Sequence, residues 1–131
     1  MAERRHWGFS ESEWSEARRA LEALLAEAGR ARSTVTYGEV ARRALGGRVS
    51  ARSSALMYLL VEVDTLADAR LGCMVASLVV RADTGMPGEG YFVFASRELG
   101  RPIDDRVAFW QSEVCRVWDA CAAEAAAKVG K

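Results

Sequence analysis

Two capping boxes in the first third of the chain constrain its fold more than any other sequence feature. In a capping box, a Ser or Thr side chain accepts a hydrogen bond from the backbone N–H three residues on, and a Glu at that position returns the bond. The sequence contains Ser10 with Glu13, and Thr36 with Glu39. Each pair predicts that a helix begins at the following residue.

Apolar residues at helical spacing follow both boxes and set the lengths of the two helices. We predict the first helix over about 10–28, ended by Gly29, and the second from Tyr37 to the glycine pair Gly46-Gly47. Glycine favours these ends because it readily adopts the left-handed conformation that terminates many helices.

A third helix is predicted after the glycine pair, with Ser50 as its N-cap and its end at Gly72. Two helices joined by a tight turn of this kind are typical of a helix-turn-helix motif. The apolar stripe of the third helix comprises Leu56, Leu59, Leu60 and Val63, and continues through Leu66 and Ala67.

The hydrophobic period changes from helical to extended after Gly72. Residues 74–80 and 91–95 are short apolar runs rich in strand-forming residues. Pro87-Gly88 lies between them and fits the central positions of a type II turn. We therefore predict a β-hairpin whose long tip includes Arg81.

The last predicted element is a long amphipathic helix over about 104–128. We expect its first half to pack on the first helix near Trp14 and Leu21, and its alanine-rich second half to form a homodimer. Its apolar face comprises Val107, Trp110, Val114, Val117, Cys121 and Ala125.

This order of elements predicts an α+β fold of the winged helix-turn-helix type. It combines an N-terminal helix, a two- to three-stranded β-hairpin wing and a long C-terminal helix. A length of 131 residues corresponds to one domain, 1–131, with its core over about 9–96.

The overall composition excludes several classes of protein. Eighteen basic residues balance eighteen acidic ones, which argues against nucleic-acid binding by net charge alone. No apolar run is long enough to span a membrane, and an odd number of cysteines predicts free thiols in the cytoplasm. His6 is the only histidine, so we expect no Ser-His-Asp catalysis, no metal and no cofactor.

The local charge is more informative than the overall charge. Between Arg32 and Tyr58 five arginines face one acid, Glu39, which gives this segment a net charge of +4. Arginines and hydroxyl groups near helix starts contact phosphates and base edges in DNA. The candidate DNA-binding residues are Arg32, Thr36, Tyr37, Arg42, Arg43, Arg48, Ser50, Arg52, Ser53, Ser54, Tyr58 and Arg81.

The same segment resembles the helix-turn-helix of alkylguanine-DNA alkyltransferases and their inactive alkyltransferase-like relatives. The resemblance depends on Thr36-Tyr-Gly-Glu-Val-Ala41, Leu45-Gly-Gly47 and Ala51-Arg52 through Ala55-Leu-Met57. It implies that Tyr37 acts against a target phosphate and that Arg52 enters the base stack.

The active-site motif of that family, Pro-Cys-His-Arg, falls on Val75-Ala-Ser-Leu78 in this chain. The family's cysteine nucleophile becomes Ala76 and its histidine becomes Ser77, so the resemblance implies no alkyl transfer. Residues 78–92 also resemble small bacterial winged-helix proteins with a TGxPGxGF-type hairpin, a likeness that implies no reaction.

Two functions are consistent with these residues. The first is a non-enzymatic bacterial DNA-binding protein, either a small regulator or an accessory of a repair, defence or mobile-element system. The alternative is a protein–protein adaptor, which is favoured by Met57 and Val61 on the outer face of the third helix. A third interpretation, recognition of damaged bases, requires a pocket that the sequence does not reveal.

Overall fold

Five helices form most of the described part of the chain. The computed structural model describes the backbone of residues 5–129. The helices are α1 (Glu11–Arg30), α2 (Tyr37–Leu45), α3 (Ser54–Leu71), α4 (Glu89–Arg97) and α5 (Arg106–Val129). Four two-residue strands accompany them: β1 (Arg5–His6), β2 (Phe9–Ser10), β3 (Val35–Thr36) and β4 (Val79–Val80). The fold of these residues is therefore α+β and mainly helical.

The strands form two small sheets. β1 and β2 pair antiparallel around Trp7 and Gly8, which both have positive φ as a tight two-residue hairpin turn requires. β3 and β4 pair parallel, with Val35 opposite Val79. This second pair ties the start of α2 to the segment that follows α3.

The predicted start of α1 is confirmed. Ser10 and Glu13 form the capping box, and Phe9 packs edge-on against Trp14 at 6.0 Å between ring centroids, as a hydrophobic staple does. The predicted end is wrong, because the helix continues through Gly29 to Arg30. A Cβ at Gly29 would overlap the Sγ of Cys121, so this glycine permits α1 and α5 to approach closely.

The start and end of α2 are also confirmed. Thr36 and Glu39 form the second capping box, and Gly46 ends the helix at φ 64°. The predicted N-cap of α3 is wrong, since Ser53 accepts the bond from Leu56 N–H at 3.1 Å. Ser50 instead accepts from Arg52 N–H within the turn that connects α2 to α3.

The predicted β-hairpin over 74–95 is wrong. Residues Val75–Leu78 form a 3₁₀ helix, β4 pairs with β3, and the predicted second strand lies within α4. Tyr91, Phe92 and Ala95 are buried on one side of α4, which is a helical pattern of burial. The predicted type II turn is also wrong, because Gly88 has φ −74° and serves as the N-cap of α4.

Helix α5 is confirmed within two residues of its predicted bounds. Asp105 accepts a bond from Ala108 N–H at 3.1 Å and so caps its start. The expected packing of the first half of α5 on α1 is wrong, because Trp110 in that half donates to Ser77 O of the 3₁₀ helix, whereas Cys121 in the second half lies against Gly29 of α1. Val107 is 45% exposed and does not belong to the apolar face.

The core is formed mainly between α1, α2, α3 and α5. Its fully buried side chains include Leu21, Val40, Leu45, Leu56, Leu59, Leu78 and Val117. Leu66 is exposed and so does not belong to the predicted apolar stripe of α3, whereas Ala67 is buried and does. A smaller cluster around Tyr91 and Phe92 connects α4 to this core. None of the helices in the described residues has the length and apolar character needed to cross a membrane.

Candidate nucleic-acid interface

An open groove of about 650 Å³ lies where the starts of three helices converge. We call it the groove. It is lined by Thr36, Tyr37 and Gly38 at the start of α2, by Ala51, Arg52 and Met57 around the start of α3, and by Arg81, Ala82, Asp83, Gly88, Glu89 and Gly90 around the start of α4. Four of the predicted DNA-binding residues, Thr36, Tyr37, Arg52 and Arg81, therefore meet at one surface.

Arg52 is the unpaired cation of this surface. Its side chain is exposed, and it forms no ion pair with any residue in the described part of the chain. It precedes α3 because the helix begins at Ser54, so its guanidinium extends from a turn. An unpaired arginine in this position is available to an anion in the groove.

The acidic residues that line the groove are neutralised by neighbouring arginines. Arg81 makes two hydrogen bonds to Asp83, at 2.9 and 2.7 Å, and these bonds lower the pKa of Asp83. Arg106 makes two hydrogen bonds to Glu89, at 2.5 and 2.7 Å, which lower the pKa of Glu89 in the same way. Because arginines neutralise both carboxylates, the charge of Arg52 makes the groove positive overall.

Tyr37 forms part of the floor of the groove. It is buried, its hydroxyl oxygen accepts a hydrogen bond from Gly88 N–H at 3.0 Å, and burial raises its pKa. The hydroxyl proton is still available for donation, because the contact with Gly88 uses only the oxygen as acceptor. Tyr37 therefore joins the start of α2 to the start of α4 and can donate a hydrogen bond to a group bound between them.

Three of the predicted arginines are engaged in ion pairs away from the groove. Arg32 pairs with Asp119 of α5 at 3.1 Å and Arg43 pairs with Glu27 of α1 at 3.3 Å. Arg48 pairs with Glu13 at 3.0 Å, and its guanidinium lies 3.9 Å from the centroid of the Phe9 ring. These contacts fix the turn and the helix ends, so the +4 segment offers fewer free charges than its sequence suggests.

The remaining predicted residues surround the helix starts. Arg42 is exposed on α2 and forms no ion pair within the described residues. Ser50 and Ser53 are used in the turn and the cap of α3, and Ser54 is exposed in its first turn. Within the described residues, Arg42 is thus the second arginine of the α2–α3 segment that forms no ion pair, after Arg52.

The exposed face of α3 beside the groove carries large apolar side chains. Tyr58 is 62% exposed and contacts the Trp7 ring at 5.3 Å between centroids. Val61 and Val93 are exposed beside it, across a shallow depression between α3 and α4 of about 580 Å³. We define the α3–α4 strip as Tyr58, Val61, Val93, Phe94 and Leu99. It contains no basic side chain.

The residues at the position of the alkyltransferase motif lie in the 3₁₀ helix, with Ala76 in the wall of a cavity between α3 and α4. The neighbouring Cys73 is 1% exposed, and burial raises the pKa of its thiol to about 11. A thiol in this state is a poor nucleophile, because the reactive form is the thiolate.

Sequence reasoning missed two residues of this region. Asp64 is 1% exposed within α3 and accepts a hydrogen bond from Ala76 N–H at 3.1 Å. Gly88 donates to Tyr37 across the groove. The one available signal was the acidic residue within an otherwise apolar stripe, since a buried carboxyl group generally has a specific partner.

The described residues contain no group of three His, Cys, Asp or Glu side chains arranged to hold a metal ion. The side chain of His6 lies outside the described part of the structure. Comparison with models of protein families, with curated proteins and with solved structures found no match to this chain.

Proposed function

We propose that this protein binds duplex DNA without catalysing a reaction, through α2, the connecting turn and the start of α3. The observation that supports this most directly is the exposed, unpaired Arg52 between the first turns of α2 and α4. The free backbone N–H groups and the dipole of a helix N-terminus favour a negative charge. A backbone phosphate placed in the groove meets Arg52, these N–H groups and the Tyr37 hydroxyl.

The proposal keeps the predicted helix-turn-helix, which we assign to α2 and α3, but not the predicted β-hairpin wing. The element that follows α3 and the 3₁₀ helix is α4 with its preceding loop. Arg81 lies in that loop, but its pairing with Asp83 reduces its value for a phosphate. The main phosphate contacts are therefore assigned to Arg42 and Arg52.

We infer that the protein catalyses no reaction from the residues at and beside the cavity between α3 and α4. The alkyltransferase resemblance requires a cysteine and a histidine where this chain has Ala76 and Ser77. Cys73 is buried, with its pKa raised, and so does not replace the missing nucleophile. A bacterial regulator or an accessory subunit that acts in the cytoplasm fits these features.

Replacement of Arg52 tests the proposal, with Arg48 as the matched control. R52A removes the unpaired cation, and loss of its charge-assisted bond to a phosphate should weaken binding to a duplex by about 1.5–3 kcal/mol. R48A makes the same chemical change in the same turn but removes a cation that is already paired with Glu13. It should retain DNA affinity while lowering thermal stability. Fluorescence anisotropy at low salt measures both affinities, and equal affinity for R52A and the unaltered protein would contradict the proposal.

A second candidate function, a protein–protein adaptor, is favoured by the α3–α4 strip. Exposed aromatic and aliphatic side chains that form one depression are typical of a surface that binds another protein. The depression beside the strip and the groove are both lined by Met57 and Gly90, so the two candidates use adjoining surfaces of α3 and α4.

A further inference from the structure

The described residues contain one antiparallel β-hairpin, and it lies against the α2–α3 segment rather than at the predicted position of the wing. It is the pair β1–β2, whose turn comprises Trp7 and Gly8. Arg48, between α2 and α3, donates to Gly8 O at 3.2 Å, and its guanidinium lies over the Phe9 ring. These contacts hold the tip of the hairpin beside the turn that leads into α3.

Two exposed aromatic rings meet at this tip. Trp7 is 52% exposed, and Tyr58, in the second turn of α3, is 62% exposed. Their ring centroids are 5.3 Å apart and their planes are tilted by 51°. A single exposed ring is common in folded proteins, whereas two in contact form an apolar patch of the kind that marks a binding surface. We call Trp7 and Tyr58 the ring pair.

The ring pair adjoins the groove. Met57 lines the groove together with Arg52, and it also lines the depression that Tyr58 lines. Met57 directly precedes Tyr58 in the chain. Under the proposed function, a phosphate held by Arg52 would therefore bring the neighbouring nucleotides of the same strand towards the two rings.

Few charges are available to bind DNA through phosphates alone. Within the described residues, Arg42 and Arg52 are the two arginines of the α2–α3 segment that form no ion pair. A base that stacks on an aromatic side chain strengthens binding by about 5- to 150-fold, whatever its identity, because every base has a π-face. Proteins that bind single strands combine such rings with a positively charged groove, which is the combination found at the start of α3.

The spacing of the two rings limits how a base is held. Stacked bases lie about 3.4 Å apart, so a base between two rings needs their planes about 7 Å apart. The ring pair, at 5.3 Å between centroids, is too close for this. A base therefore stacks on one ring, which the other ring supports. Extraction of a base from a duplex costs about as much free energy as one such contact returns, so the base must already be unpaired.

We propose that the ring pair is a stacking site for an unpaired nucleobase, which covers Trp7 while Tyr58 supports the indole. This inference rests on the proposed function, since Arg52 holds the neighbouring phosphate. Its consequence is that the protein prefers duplex DNA with a single-stranded overhang to blunt duplex DNA.

Three fluorescent DNA probes test this inference with the full chain. One is a blunt duplex, and one carries a short run of thymidines at both ends of one strand. The last carries the same number of abasic nucleotides in place of the thymidines, so the two overhangs have equal charge and differ only in their bases. In anisotropy titrations, the thymidine probe should bind at least about fivefold more tightly than the abasic probe.

Substitutions in the ring pair separate stacking from hydrophobic contact. W7L keeps a large apolar side chain but removes the ring face, so the thymidine and abasic probes should bind equally. W7F keeps a ring and should retain most of the preference. Y58S removes the supporting ring and should reduce the preference at least about twofold, which also provides a test if W7L does not fold.

Leu66 supplies the matched control. It is exposed and apolar and belongs to α3, but it lines a cleft towards α1 and α5 rather than the ring pair. L66S should therefore retain the full preference. All four variants should bind the blunt duplex within about twofold of the unaltered protein, because they change exposed side chains outside the groove.

The outcomes separate this inference from the proposed function. Equal binding of the thymidine and abasic probes, or a preference that persists in both W7L and Y58S, would overturn the stacking site and leave duplex binding through Arg52 standing. A preference lost in W7L, together with no effect of R52A on any probe, would support the stacking site and contradict the proposed phosphate contact. Failure to bind any probe would overturn both.

Discussion

The two exposed surfaces that meet at α3 differ in chemistry although they adjoin each other. The groove combines an unpaired arginine, two helix starts and a tyrosine hydroxyl, all suited to a phosphate. The α3–α4 strip offers aromatic and aliphatic side chains with no basic group. Under the proposed function, DNA would contact the first turn of α3 rather than its whole length, and the remaining exposed face of α3 would be left for another contact.

The largest expected effect concerns Asp64, which lies beneath both surfaces. Its pKa rises from an ordinary value near 3.8 to about 7 in the folded protein, so the folded state holds a proton that the unfolded state releases between these values. The free energy of unfolding should therefore fall as pH rises from about 4 to 7. Because D64N does not titrate, its stability relative to the unaltered protein should increase by roughly 2–4 kcal/mol over this range.

Urea unfolding of both proteins at pH 4, 6 and 8 measures this difference. The other carboxyl groups are common to both proteins, so their titration largely cancels in the comparison. A difference in stability that stays constant with pH would show that folding does not raise the pKa of Asp64, and that this carboxyl group is more hydrated than its burial indicates.

A smaller effect is expected at the α3–α4 strip. Y58S and V61S replace exposed side chains, and such changes usually alter the free energy of unfolding by less than about 0.5 kcal/mol. Both variants should bind DNA within about twofold of the unaltered protein, since neither side chain lines the groove. Anisotropy titrations beside R52A check this expectation. A loss as large as that caused by R52A would place the strip inside the DNA interface and remove the distinction between the surfaces.

The starts of the helices could be predicted where local hydrogen bonds decide them. The capping boxes at Ser10 and Thr36 require only residues three apart, and both are present in the structure. The cap of α3 was misassigned because two serines precede that helix. Ser50 bonds within the turn, and Ser53 forms the cap.

The region after Gly72 could not be predicted locally because distant residues determine it. The 3₁₀ helix is held by Asp64, which binds Ala76 N–H, and by Trp110, whose indole donates to Ser77 O at 2.8 Å. Tyr91 to Ala95 is a short apolar run, and periodicity does not distinguish a buried strand from a helix at that length.

The candidate site could be predicted only in part, because local features place some of its residues and distant contacts determine the state of others. Four predicted residues meet in the groove because helix starts are local features. The ion pairs of Arg32, Arg43 and Arg48 join residues far apart in sequence. Arginines in these pairs are not available to phosphates. The charge of the segment suggested four or five phosphate contacts, but the structure leaves two arginines for them, Arg42 and Arg52.

The salt dependence of DNA affinity tests this central claim most directly. Each phosphate contact lowers the slope of log affinity against log salt by about 0.9, so two contacts predict a slope of about −2 on random duplex DNA. Anisotropy titrations between about 50 and 200 mM salt measure it, and R52A should reduce its magnitude by about 0.9. Failure of the folded protein to bind at about 50 mM salt, or a slope near zero, would contradict the account.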